Sequence, residues 1–373
     1  MDLLTARIDL GAIAYNTRLL AQRVAPARLM AVVKADGYNH GAEAVARTTL
    51  RHGARELGVA TCQEALGLRD RGIEAPITAW LWSPDQDIAE PVRRGIRLAV
   101  TSPEHARALI DAARDVERHA APYETTVKVE TGMHRSGVEP KDWPEVFAAL
   151  AACPSLRVTG LMSHLSCADE PKNPATDAQA EQFRRALACA RAHGLRVPVN
   201  HLCNSPGTLT RPDLHHEMVR VGLALYGLEP VVGRDHGLIA AMTWAARVLL
   251  VKPVRAGEGA SYGLTWRAPR DGFLALIPAG YADGLPRAAQ GHLEVTVGGH
   301  RYPQVGRVCM DQFLVWLGEN PRGVRPGDEA IIFGRDAMSA TELARRSGTI
   351  SYEVVCAPRR RTRRVYVEEG TQE

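Results

Sequence analysis

The chain has 373 residues, 45% of them hydrophobic and 24% charged, which is enough for a large domain with a second one beside it. Its 46 basic and 42 acidic side chains leave a formal charge of +4 on a mixed surface, which argues against a nucleic-acid partner; the one dense basic run, Arg359-Arg360-Arg361-Thr362-Arg363-Arg364, reads as a solvated or salt-bridged edge, with polyanion contact as the other reading. Seven cysteines form no CxxC, which argues against a disulfide framework or a zinc site, and no charge-free apolar run approaches membrane-spanning length, so a cytoplasmic protein with no metal is expected.

From residue 29 to about residue 225, short apolar runs alternate with Ala/Arg/Glu-rich segments of helical period. The predicted strands are Leu29–Lys34, Leu57–Thr61, Ile77–Trp82, Leu98–Thr101, Thr125–Val129, Val158–Ser163, Val199–Leu202 and Met218–Gly222. Predicted helices between them include Gly41–Gly53, Pro103–Arg114, opened by Ser102 and Pro103 as cap and first residue, and Thr176–His193. Eight nearly all-apolar strands in βα succession imply a parallel sheet covered on both faces, and eight is the number that closes into a (β/α)8 barrel of the TIM type. An open doubly wound sheet is the alternative, although no GxGxxG follows the first strand.

After about residue 232 helical period fades and glycine-punctuated strands take over: Trp244–Val254, Gly272–Pro278, Leu293–Val297, Arg301–Val305 and Phe313–Leu317, with a Gly298-Gly299 hairpin signal and one helical stretch at Ala340–Ser347. The expected organisation is a barrel over residues 10–232, followed by a mainly β domain over 233–373 that also takes in the N-terminal strand 1–9.

Chemistry in a βα barrel gathers at the C-terminal ends of its strands. Lys34, Lys128 and His164 stand at the ends of the first, fifth and sixth predicted strands; Asn204 and Ser205 follow the seventh, and Arg220 to Gly222 close the eighth. Lys34 after Val32-Val33 is either a snorkelling side chain or an amine desolvated by apolar neighbours into a nucleophile or base, which would make Schiff bases, commonly with pyridoxal phosphate. Such a site needs a phosphate cradle, for which Asn204, Ser205, Gly222, Leu223 and the Tyr38 hydroxyl are candidates. It also needs a group at the ring nitrogen, where Arg220 is either that group or a structural ion pair. A base opposite the lysine is the last requirement; Tyr262 in "GASYGLTW" is either that base or a packing residue.

The segment "VVKADGYNHG" resembles the cofactor-lysine motif of bacterial alanine racemases, the fold-type III family of pyridoxal-phosphate enzymes. The likeness continues in family order through "KVETGMHRSG", "SHLSCADE", "HLCNSPGTL", "MVRVGLALYGL", "GASYGLTW", "AGYADGLPR", "VGRVCMDQ" and "SYEVVCAPRRR". It implies an isomerase that interconverts L- and D-alanine by a two-base mechanism and supplies D-alanine for peptidoglycan. A racemase of the same fold acting on serine, or with broad specificity, is the alternative. Lys34 would carry the cofactor and serve as base on one face, and Tyr262 of the other subunit of a homodimer would serve on the opposite face. Arg220 would face the pyridine nitrogen with His164 behind it to hold its orientation; Tyr38, Ser205, Tyr352 and the Gly222 and Leu223 backbones would hold the phosphate. Arg135 would contact the ring hydroxyl and the substrate carboxylate, which the Met310 N–H of the partner would also hold. The lysine matching Lys128 is carbamylated in many members of that family. Two departures from the pattern touch no catalytic role: Pro206-Gly207 after Asn204-Ser205, which would shift the phosphate loop slightly, and Trp316 in the strand after "CMDQ", which puts a large aromatic near a domain or subunit interface.

Overall fold

The structure, a computed structural model, describes residues 2–115 and 121–368. Strand β1 (Leu4–Asp9) leads into a helix at Leu10–Val24, capped by the Asp9 carboxylate on the Ala12 N–H. Then come the parallel strands β2 (Arg28–Val32), β3 (Ala54–Thr61), β4 (Ile77–Leu81), β5 (Ile96–Val100), β6 (Tyr123–Lys128), β7 (Leu156–Met162) and β8 (Met218–Val221), hydrogen-bonded in the order β7-β6-β5-β4-β3-β2-β8. The intervening helices include Ala42–Arg51, Pro103–Asp115 and Ala175–Ala192, close to the predicted spans.

Residues 199–203 close the barrel between β7 and β8. Val199 and His201 donate to the Thr159 and Leu161 carbonyls (3.0 Å each), while Met218 and Arg220 donate to the Asn200 and Cys203 carbonyls (3.2 and 3.0 Å). The open-sheet alternative is thereby excluded. The strand expected at Val199–Leu202 makes a single isolated bridge, Met162 to His201, instead of a continuous ladder, because Asn200 inserts its side chain. Its Oδ1 accepts from the Leu161 N–H (3.0 Å) and its Nδ2 donates to the Val197 carbonyl (2.9 Å). The backbones approach so closely here that a Cβ on Gly160 would lie 1.7 Å from the Val199 oxygen.

The chain beyond the barrel adds β9 (Met242–Arg247), β10 (Leu250–Val254), β11 (Gly259–Ala260), β12 (Trp266–Arg267), β13 (Gly272–Ile277), β14 (Glu294–Val297), β15 (His300–Val305), β16 (Phe313–Gly318), β17 (Glu329–Phe333) and β18 (Arg363–Val367). A nine-stranded sheet runs β10-β13-β16-β15-β14-β17-β9-β1-β18, so β1 pairs with β9 and β18 rather than with the barrel. The Arg359–Arg364 run is largely ion-paired: Arg361 with the fully buried Asp283 (2.7 Å) and with Asp311 (2.8 Å), Arg363 with Asp2 (2.9 Å), Arg364 with Asp36 (2.7 Å). Among the described residues, no helix is long and apolar enough to cross a membrane, and no His/Cys/Asp/Glu group could hold a metal ion.

One local conformation departs from expectation. The first barrel strand ends at Val32, and Lys34 opens a left-handed turn in which Ala35, Asp36, Gly37, Tyr38 and Asn39 have φ of +53°, +53°, +62°, +51° and +65°. Left-handed backbone costs roughly 1–2 kcal/mol per non-glycine residue, so the turn needs external support. Glu64 Oε1 accepts from the Ala35 N–H (2.7 Å) and Asp36 Oδ1 from the Ala42 N–H (2.8 Å). Asn39 Nδ2 donates to the Val355 and Pro358 carbonyls (3.2 and 2.7 Å), and Asn39 Oδ1 accepts from Arg364 (3.0 Å). The fully buried His40 donates from Nδ1 to the Gly37 and Tyr38 carbonyls (3.1 and 2.8 Å). Segments far apart in sequence thus fix the two side chains at either end of the turn, Lys34 and Tyr38.

Candidate active site

A cavity of about 490 Å³ occupies the barrel mouth at the C-terminal ends of the strands. Lys34, Tyr38, Lys128, Arg135, His164, Asn204, Ser205, Arg220, Gly222, Leu223 and Tyr352 all line it. The wall therefore carries four cationic side chains and no carboxylate, an electrostatic arrangement that favours anionic groups. Tyr262 and Met310 do not line this cavity; they are exposed on the second sheet's side of the molecule, at 70% and 53%.

Burial and the neighbouring Arg135 lower the pKa of Lys34, which raises the share of free amine. Burial, with Arg135 and Arg220 adding to it, brings Lys128 down to about 8; its ammonium donates to Ser136 Oγ. Arg220 is buried to 6% exposure, and burial lowers its pKa to about 10, so it remains a cation at neutral pH. Its guanidinium donates to the His201 carbonyl (2.6 Å), His201 Nδ1 (3.0 Å), the Leu202 carbonyl (3.2 Å) and the Ser163 carbonyl. His164 makes none of these bonds, which corrects its expected role: the histidine holding Arg220 is His201, because residues 199–203 run directly beside β8. Burial, then the charge of Arg220, push both His164 and His201 well below the ordinary histidine value, so both are neutral and His201 Nδ1 acts as an acceptor.

The loops after the seventh and eighth staves of the barrel form a small cradle. Asn204 caps the helix at Ser205–Thr210 by accepting from the Gly207 N–H (3.2 Å), which orients the next residue. Ser205 Oγ accepts from the Gly222 and Ala224 N–H groups (3.1 and 3.3 Å). The Tyr38 hydroxyl comes so close to this loop that a Cβ on Gly222 would lie 2.3 Å from it. Tyr38 also stacks between Tyr226 and Tyr352, with ring centroids 4.7 and 5.9 Å away, and the Tyr226 hydroxyl donates to the Val32 carbonyl (2.9 Å). Burial pushes the Tyr38 phenol up and Tyr352 up to about 12, so both keep their protons and act as donors.

Sequence reading missed Ser136, Ser163 and His201. Ser136 and His201 lie inside "KVETGMHRSG" and "HLCNSPGTL", but only the closed barrel reveals which lysine and which arginine they meet.

A closed parallel barrel whose mouth combines a depressed lysine with further cations and a neutral histidine is the layout of a barrel enzyme for a small anionic substrate. Residues 8–230 match the alanine racemase N-terminal domain and residues 241–366 the alanine racemase C-terminal domain. The alanine racemase of Corynebacterium efficiens is 63% identical over 370 residues, spanning 99% of this chain and all of that protein; that of Mycobacterium tuberculosis is 50% identical, with 97% and 96% covered. Among solved structures, the Corynebacterium glutamicum alanine racemase superposes with a TM-score of 0.89 at 54% identity, covering 98% of this chain and 100% of that one. The Bartonella henselae alanine racemase, solved with covalently bound pyridoxal phosphate, superposes with a TM-score of 0.90 at 27% identity over 98% and 100%. The chain belongs to the alanine racemase family.

Proposed function

We propose that the protein is a pyridoxal-phosphate-dependent isomerase interconverting L- and D-alanine, with the cofactor in the barrel-mouth cavity. The observation that carries this reading is a half-buried lysine of lowered pKa in a cavity walled by cations, in a chain matched end to end by alanine racemases. The residues present suit the cofactor. Lys34 supplies the amine for its aldehyde, and Tyr38, Ser205 and Tyr352 with the Gly222 and Leu223 backbones supply the cradle for its phosphate. Ser205 Oγ accepts two N–H groups, which leaves its own proton for an acceptor in the cavity.

When bound, the cofactor withdraws electrons from the substrate Cα and makes its proton removable. Lys34 Nζ takes or returns that proton on one face, a task that requires the free amine its surroundings favour. Tyr262 of the partner subunit does the same on the other face, since racemisation needs a proton donor and acceptor on both sides. Arg220 is assigned to the ring nitrogen; a guanidinium that keeps its proton cannot protonate that nitrogen, which disfavours side reactions needing an electron-rich cofactor carbon. Arg135 binds the substrate carboxylate together with the Met310 N–H of the partner subunit. The neutral fraction of Lys128 suits carbamylation, which would turn a cation beside Arg135 into its anionic partner.

A homodimer with shared sites is supported by the exposed apolar group Tyr262, Leu264, Tyr281 and Met310. The loops bearing these residues are joined: Ser261 donates to the Arg307 carbonyl (2.8 Å), and the Tyr281 and Ala282 N–H groups donate to the Cys309 and Met310 carbonyls (3.2 and 3.0 Å). The product D-alanine serves peptidoglycan synthesis in this reading, and seven unpaired cysteines suit a reducing cytoplasm. The test is to incubate the purified protein with L-alanine, D-alanine or L-serine, with and without pyridoxal phosphate, and to separate enantiomers by chiral chromatography. Cofactor-dependent convergence of both alanine enantiomers to a racemate is expected. No interconversion would overturn the activity, and faster turnover of serine would reassign the substrate.

A further inference from the structure

A second cavity, of about 550 Å³, opens at the opposite end of the barrel, among the N-terminal ends of the strands. Its wall carries Arg28, Arg97, Arg157 and Arg196 against only two carboxylates, Glu56 and Glu124. Arg97 sits between them, 2.6 Å from Glu56 and paired with Glu124; Arg28 lies 3.8 Å from Glu56, and Arg157 also pairs with Glu124. Glu217, at the same end, is turned onto the Asn200 N–H and amide (2.8 and 2.9 Å) and does not line the cavity. Arg196 is exposed and has no ion pair or hydrogen bond among the described residues. The lining thus carries two more guanidinium groups than carboxylates, and Arg196 is the one without a partner.

The inner end of the cavity is formed by His201, only 2% exposed. Its Nδ1 accepts from Arg220, so the proton of the neutral ring is on Nε2, and Nε2 has no protein partner among the described residues. That N–H therefore opens into the cavity and is available to whatever occupies it. We infer that this floor cavity is a second ligand site, for a small dianion bearing carboxylate or phosphate oxygens, held by Arg196 and Arg157 at the rim with His201 Nε2–H as the donor at its inner end. Occupancy would fix the same His201 tautomer that accepts from Arg220, which connects this site to the catalytic mouth through one imidazole.

The test is isothermal calorimetry on the cofactor-loaded protein, whose own phosphate cradle is then filled, titrated with succinate or inorganic phosphate at constant ionic strength. Saturable binding of one of them is expected, and the one that saturates identifies the oxygen chemistry. Arg196→Ala should weaken binding by about tenfold or more, as loss of a charge-assisted bond does, and leave racemisation in anion-free buffer unchanged. Arg157→Ala, also at an exposed position, provides an independent check. No saturable binding by either anion would overturn the inference, and so would affinity that both variants retain, since that would place the anion elsewhere, including at the mouth.

Discussion

Asn39→Ala removes the central tie of the left-handed turn. The substitution deletes two amide donations, to the Val355 and Pro358 carbonyls, and one acceptance from Arg364. At a net of about 1 kcal/mol for each bond, the loss is about 3 kcal/mol, and leaving the Val355 carbonyl short of a partner adds to it. Asparagine also tolerates φ of +65° better than alanine does, by about 1 kcal/mol. The expected destabilisation is about 3–5 kcal/mol, a large fraction of the stability of an ordinary protein. It would be read from urea unfolding of wild type and variant at one protein concentration, because assembly and cofactor both shift the midpoint. Because the turn carries Lys34 and Tyr38, dialysed variant should also retain less cofactor by visible absorbance. A variant within 1 kcal/mol of wild type with full cofactor retention would refute the argument that distant segments hold this turn in its unfavourable conformation.

Other consequences can be checked separately. Gly222→Ala places a methyl 2.3 Å from the Tyr38 hydroxyl, and overpacking of this kind costs about 1–3 kcal/mol; cofactor affinity measured by equilibrium dialysis should fall about tenfold. Lys128 has a folded pKa near 8 against 10.5 for the ordinary side chain, so between these values the unfolded chain binds more protons. For the uncarbamylated protein, stability relative to Lys128→Met should therefore rise with pH from about 8 towards 10.5, as urea unfolding of both proteins at pH 7.5 and 9.5 would show. Mixing Lys34→Ala with Tyr262→Phe, after subunit exchange, should recover activity that neither variant has alone, approaching about a quarter of wild type if every mixed dimer contains one intact site. Lack of recovery despite demonstrated exchange would count against sites shared between subunits.

The barrel was legible because its strands are apolar on both faces and alternate with helical segments, a pattern that leaves few architectures open. The stave at 199–203 was legible as apolar sequence, but its broken ladder was not. That break depends on where the Asn200 side chain lands relative to β7, a contact about forty residues away in the chain. The left-handed turn was hidden for a similar reason. Gly37 takes positive φ freely and Asn39 and Asp36 tolerate it, but the run of five is held there by Glu64, the 355–364 segment and His40. Eleven site residues converge on one cavity because strand ends in a barrel converge, which spacing along the chain already implies. Tyr262 and Met310 belong to loops joined to each other outside the barrel-mouth cavity, so the part proposed for them requires a second copy of the chain. The exchange of His164 for His201 behind Arg220 shows the limit of motif reading: one histidine follows a predicted strand and the other lies within one, and only the order of staves decides which meets the guanidinium.

The central claim is that the Lys34 amine holds the cofactor, and its most direct test is borohydride reduction of the protein loaded with pyridoxal phosphate, followed by peptide mapping. The chain has five lysines, at 34, 128, 141, 172 and 252, so the map discriminates cleanly. The phosphopyridoxyl group is predicted on the peptide containing Lys34, in stoichiometric yield. Stable label on another lysine, or none at all, would contradict the account.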